Sequence, residues 1–211
     1  SDADDGLILP QGRDHDRYLR MIDRAALRCV TLGEEYNDQR NYDLDFFMLF
    51  KIWRGLQKYK SDYGKVSFTD MISGYVKQGS APKLEILIVD EAQDLVPLQW
   101  KMVEVLAQNS DKTYFAGDDD QAIHRWAGVD VNLFMNCSQN VRTLKKSYRL
   151  PRSAYDLANS VVKRIHNRKQ KAFDPMDREG TVNFHMDTHN LDMSQGSWTL
   201  MSRTNSFARD V

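Results

Sequence analysis

The chain has 211 residues, 41% of them hydrophobic, and 29 basic against 30 acidic side chains give a net charge of −1. That suffices for one sizeable domain or two small ones, and it excludes global basic attraction to nucleic acid, so a strand-binding surface has to be a local patch. Cys29 and Cys137 lack metal-ligand spacing and form no disulfide framework, no apolar run approaches the ~18 residues of a membrane span, and the Ser1–Asp5 start is no signal peptide, so a reducing, cytoplasmic (intracellular) setting is expected.

Residues 1 to about 16 are polar and acidic and read as a loosely held start. From Arg17 to about Leu32, the residues Tyr18, Leu19, Ile22, Ala26, Leu27 and Val30 recur at three- and four-residue spacing, which predicts an amphipathic helix. Gly33 to Asn41 reads as a polar connection. Asp43 and Asp45 then open a second helix, with Phe46, Phe47, Phe50, Trp53 and Leu56 along one side; core packing outweighs base stacking for these aromatics. Val66 to Met71 leads into a helical stretch reaching about Tyr75, and Gly79 to Pro82 breaks the chain.

The central stretch runs from Lys83 to Asp94. Five of the six residues from Leu84 to Val89 are apolar and three are β-branched, which predicts a strand buried on both faces of a parallel sheet. It ends in the carboxylates Asp90 and Glu91, and open α/β sheets bind ligands beyond the carboxyl ends of their strands. One such carboxylate can hold Mg²⁺ directly or through water while the other orients or deprotonates an attacking water. The plainer alternative is an acidic turn capping the next helix. Pro97 suits a helix first turn, with Asp94 as its N-cap, and Leu98, Met102, Val105 and Leu106 share a face. A second strand, Thr113 to Ala116, ends in Gly117, three aspartates (Asp118, Asp119, Asp120) and Gln121. A right-handed crossover between parallel strands puts Asp90 and the Gly117–Gln121 turn at one sheet edge.

Farther on, Val141 to Leu144 reads as a strand, Ser147-Tyr148-Arg149 follows, and Pro151 opens a helix through about Ile165. Thr181 to Met186 alternates at period two, and Trp198 to Met201 reads as a last strand before Arg203, Thr204 and Asn205. Between Arg142 and Lys171 ten basic residues face one acid, Asp156, which fits either a phosphate-tracking surface or a solvated basic helix face.

Asp90-Glu91-Ala92-Gln93-Asp94 and Gly117-Asp118-Asp119-Asp120-Gln121-Ala122-Ile123-His124-Arg125-Trp126-Ala127-Gly128 resemble motifs II and III of the UvrD/Rep (PcrA-like) superfamily-1A DNA helicases, over roughly residues 66 to 211. The resemblance implies an ATP-dependent motor with ATP and Mg²⁺ as cofactors, and single-stranded DNA and single-strand/duplex junctions as partners. It implies that Asp90 ligates Mg²⁺, Glu91 activates water, Gln121 senses the γ-phosphate, Tyr148 stacks on adenine and Arg149 acts as an arginine finger. It assigns His124, Trp126, Arg203 and Asn205 to the DNA strand, Trp126 by stacking on a base. Among the aspartates, some are expected to cap the turn or bind neighbouring backbone and arginine. His124 replaces the family's usual Tyr, and Ala127 replaces an Arg that links nucleotide to DNA.

The fold implied is α/β: a partial RecA-like P-loop NTPase domain with a parallel sheet (residues 66–138), a helical subdomain before it (1–65) and the start of a second RecA-like domain (139–211). A phosphate-binding loop, Gly-x-x-x-x-Gly-Lys-Ser/Thr, is missing: Gly64-Lys65 is followed by Val66, and Tyr59 holds the place of the first Gly. The chain therefore reads as a portion of a longer helicase that hydrolyses little ATP alone. An inactive nucleic-acid-binding module and the motor part of a helicase–nuclease stay open beside it.

Overall fold

A computed structural model describes residues 14–38, 44–186 and 193–202. Helix α1 (Asp14–Arg28) carries Tyr18, Met21, Ile22 and Ala25 on its buried side. The polar stretch after it is helical too, because α2 (Leu32–Asp38) folds back on α1 through an ionic cluster. Glu35 of α2 is fully buried, 3.3 Å from Arg24 Nε and hydrogen-bonded to Arg28, whose Nη2 also donates to Asp38 at 2.7 Å. A fully buried carboxylate persists only when cations satisfy it in this way.

Helix α3 (Phe46–Tyr63) starts at Asp45, whose carboxylate accepts from Met48 N at 2.6 Å, and it stops at Gly64 in the left-handed region (φ 58°). Its inward stripe is Leu49, Ile52, Trp53 and Leu56, at offsets of three, four and seven, packed against Tyr18, Met21, Ile22 and Leu44. Phe46, Phe47 and Phe50 are exposed instead of filling the core, since that stripe already uses the inward face. Helix α4 (Phe68–Gln78) begins with a reciprocal capping box between Ser67 and Asp70, and Thr69 Oγ1 donates to Asp23 of α1 at 2.6 Å.

Strand β1 (Leu84–Val89), helix α5 (Pro97–Gln108) and strand β2 (Ser110–Phe115) form one unit, with the strands parallel and Leu84, Leu87 and Val89 paired to Ser110, Thr113 and Phe115. Strand β1 is not buried on both faces: Ile86 and Ile88 are exposed, as is Tyr114 of β2, because the sheet has two strands among the described residues. The cap of α5 also differs from expectation. Asp94 closes a 3-10 turn (Ala92–Asp94), Val96 takes the N-cap position, and Gln99 Oε1 accepts from its N–H at 2.9 Å. The deepest residues of α5 are Leu98, Trp100 and Val103; Trp100 lies against Phe115 with ring centroids 5.4 Å apart.

Short helix α6 (Val131–Asn136) is capped by Asp130, and α7 spans Arg152–Val162. Val141–Leu144, Thr181–Met186 and Trp198–Met201 are not strands. A strand needs a partner, and the one pairing in this half among the described residues is a parallel bridge between Lys146 and Asp174.

Two compact units divide the chain. One comprises the described residues through Leu144 together with Val161–Ala172; the other comprises Lys145–Ser160 and the described residues from Phe173 onward. No helix among the described residues is long and apolar enough to cross a membrane.

Candidate functional site

The tips of β1 and β2 are tied beyond the strands themselves. Ala116 N donates to Val89 O at 2.8 Å, and Ala92 N donates to Ala116 O at 2.9 Å. This ladder holds the Asp90–Asp94 and Gly117–Gln121 turns side by side. Asp90 is exposed, and its Oδ1 accepts from Glu91 N at 2.9 Å. An ionised carboxylate has about four lone-pair sites, so this bond leaves capacity for a ligand. Among the described residues no three His, Cys, Asp or Glu side chains converge to hold a metal by themselves. One hard oxygen ligand nevertheless fits Mg²⁺, which takes one or two protein carboxylates and fills its remaining positions from phosphates and water.

Glu91 is exposed and sits in the left-handed region (φ 48°, ψ 38°), a conformation that favours glycine. Its carboxylate accepts from Gln93 Nε2 at 2.7 Å. Gln93 is buried, and its Oε1 accepts from Asp118 N at 3.1 Å, so one amide spans the two turns. Gly117 makes room for it, since a Cβ there would collide with Gln93 Oε1 and meet the ring of Phe134 at 3.0 Å.

The three aspartates divide their duties. Asp118 Oδ1 accepts from Asp120 N at 3.1 Å and caps the 3-10 turn Asp119–Gln121, while Oδ2 accepts from Gln121 Nε2 at 2.7 Å. Asp120 accepts two bonds from Arg168, at 2.6 and 2.7 Å, in the bidentate geometry that guanidinium and carboxylate favour. Asp119 accepts from Lys169 N at 2.8 Å and from Lys171 Nζ, and Lys171 also lies 2.7 Å from Asp118 and 3.0 Å from Asp120. Burial pushes the Asp118 and Asp120 carboxyls up, but Lys171 and Gln121 on the first and Arg168 and Lys171 on the second hold both below the usual range. Burial likewise lowers the Lys171 ammonium, and the three carboxylates outweigh it and raise it. Arg168 and Lys171 are therefore internal counter-ions, neither a phosphate-tracking surface nor a solvated helix face.

Gln121 is exposed, with its amide donor engaged inside its own turn. Downstream, Trp126 is 56% exposed and forms an edge-to-face pair with His124, centroids 6.2 Å apart. Gly128 (φ 99°) ends this loop against α1, where an added Cβ would meet Arg28 Cγ at 2.7 Å. Tyr148 and Arg149 belong to the other compact unit, on a bend where Ser147 Oγ accepts from Arg149 N at 3.3 Å and Leu150 N at 3.0 Å; Tyr148 is 84% exposed. Arg203 and Asn205 lie outside the described residues. Gln93 carries no role in the sequence reading, whereas Arg168 and Lys171 enter it only as part of the basic run, and the expectation that some aspartates bind arginine is met by Asp120 and Arg168. The one available signal for Gln93 was a neutral amide set among the acids of its pentad.

Residues 20–142 match the family described as the UvrD/REP helicase N-terminal domain. The chain is similar to the ATP-dependent DNA helicase PcrA of Leuconostoc citreum, 34% identical over 110 residues that make up 50% of this chain and 14% of that protein. It is similar to PcrA of Bacillus subtilis (strain 168), 33% identical over 94 residues, covering 42% of this chain and 13% of the relative. It is also similar to the ATP-dependent DNA helicase Rep of Buchnera aphidicola subsp. Baizongia pistaciae, 30% identical over 101 residues, 45% of this chain and 15% of the relative. The chain thus spans a small share of the length of the relatives it matches.

Proposed function

The chain belongs to the UvrD/REP helicase N-terminal domain family, and from that premise we propose that it is a portion of an ATP-dependent DNA helicase or translocase built on a RecA-like P-loop NTPase domain. One observation carries the proposal: the tips of two paired parallel strands bear the Asp90–Glu91 acid pair and the Gly117–Gln121 turn, linked through one buried amide. Exposed Trp126 follows in the same loop.

In this reading Asp90 holds Mg²⁺, which when bound neutralises charge developing on the transferred phosphoryl group. Glu91 orients and deprotonates the attacking water. Gln121 senses the γ-phosphate once its amide leaves Asp118. Tyr148 stacks on adenine, and Arg149 stabilises transition-state charge as an arginine finger. His124 and Trp126 stack on unpaired bases, a sequence-tolerant contact that suits movement along any strand, and Arg203 and Asn205 touch the strand farther on. Single-stranded DNA and its junctions with duplex are the partners. Residues 1–65, 66–138 and 139–211 serve as a helical subdomain, the later half of the first RecA-like domain and the start of the second.

Glu91→Gln in the full-length protein carrying these residues is the test. The substitution keeps shape and removes the base, so kcat for ATP hydrolysis is expected to fall at least about 100-fold while ATP and single-stranded DNA still bind. An unchanged kcat overturns the assignment. A binding module without hydrolysis is favoured by one specific feature, the failed phosphate-loop pattern at Tyr59–Val66. The same ATPase assay on the unsubstituted full-length protein separates the two.

A further inference from the structure

We infer that Gln93 is a positioning residue that locks the Glu91 carboxylate to the backbone of the Gly117–Gln121 turn, so that movement of the turn is transmitted to the group acting on water. The inference rests on the reading of Glu91 as that group. Gln93 is 2% exposed, and its amide is used at both ends. Nε2 donates to Glu91 at 2.7 Å and to Asp94 at 3.3 Å, and Oε1 accepts from Asp118 N at 3.1 Å. The orientation is self-consistent. Exchanging O and N would set the amide oxygen against two carboxylates and the NH₂ group against an N–H.

Both ends are constrained. At one end Glu91 has a left-handed backbone and Ala92 N is fixed to Ala116 O. At the other, Gly117 leaves no space between Gln93 and Phe134 for a side chain. Asp118, whose N–H meets the amide, is also the residue whose carboxylate engages Gln121 and Lys171. A ligand that draws Gln121 away from Asp118 therefore shifts the partner of Gln93, and with it Glu91. A side chain of this length with one donor and one acceptor is required; Glu lacks the donor and Met lacks both.

Steady-state ATP hydrolysis by the full-length protein, with and without single-stranded DNA, tests this for Gln93→Met, Gly117→Ala, their combination and Glu91→Gln. Gln93→Met keeps length and near volume, so kcat at saturating DNA is expected to fall about 10- to 100-fold. KM for ATP and Kd for DNA should stay within about threefold, the mark of lost positioning in the transition state. Gly117→Ala disturbs the same bond from its far end and should give the same split, with the double variant no worse than the poorer single one. Wild-type kcat in Gln93→Met, multiplicative losses in the double variant, or kcat, KM and Kd worsening together overturn the inference. If Gln93→Met does not fold, Gly117→Ala decides by the same criterion. Full activity in Glu91→Gln overturns the functional reading and this inference with it; an inactive Glu91→Gln beside a fully active Gln93→Met overturns the inference alone.

Discussion

A side chain with a β-carbon held at φ 48° costs about 1–2 kcal/mol in local strain, and Glu91 bears it at the tip of β1. Such strain persists where surrounding bonds over-determine the backbone, here the Ala92–Ala116 bond and the Gln93 amide. Asp90 and Glu91 stood out only through the Asp90–Asp94 pentad taken together with the Gly117–Gln121 stretch, since an acid pair after an apolar run reads equally as a capping turn. Gln93 did not, since no spacing rule tells which polar residue of a tight turn points inward. Trp126 could be read as a surface aromatic only through family resemblance, and the structure leaves it 56% exposed. Trp126→Ala is expected to weaken single-stranded DNA binding by about 1–3 kcal/mol, read by fluorescence anisotropy, with no loss of thermal stability because the indole is not core.

Among the elements, α1, α3, α4, β1 and α5 were legible from periodicity and breakers. Helix α2 was missed because its stability comes from Glu35 paired with Arg24 and Arg28 across helices, a contact that a polar sequence conceals. Two cations of the segment Val161–Ala172 were misjudged for the same reason: Arg168 and Lys171 find carboxylates 48 and 52 positions earlier, while Lys163 and Arg164 are exposed. Arg168→Met removes one of the two cations on Asp120 and leaves Lys171 at 3.0 Å, so it is expected to lower stability at pH 7 by about 1.5–3 kcal/mol, measured by urea unfolding. Asp118 and Asp120 are held low, so their contribution is complete above the unfolded-state pKa and lost as pH falls through the folded values, below about pH 4. Lys171 is held high, so its contribution is complete below its unfolded pKa and lost as pH rises above about 10.4. The cost of Arg168→Met should accordingly be flat around neutrality and shrink in acid below about pH 4.

At the scale of the molecule, the parallel pairing of β1 and β2 followed from the strand–helix–strand order, while the strands expected from Val141 onward found no partners among the described residues. Ile86, Ile88 and Tyr114 stay exposed on a sheet of two strands. Without a phosphate-binding loop in its sequence, the purified 211-residue chain is expected to show ATP turnover at least about 100-fold below that of the full-length protein, in a coupled phosphate-release assay. The aspartate cluster also implies an order of events during synthesis. Arg168 follows Asp120 by 48 residues and Lys171 follows Asp119 by 52, so a ribosome working at about 5–20 residues per second delivers the three acids several seconds before their cations. In that interval the strand–helix–strand unit is complete, yet its acidic tip repels itself. The turn can close locally through Asp118 and Gln121, but its counter-ions are available only once Arg168 and Lys171 have been made.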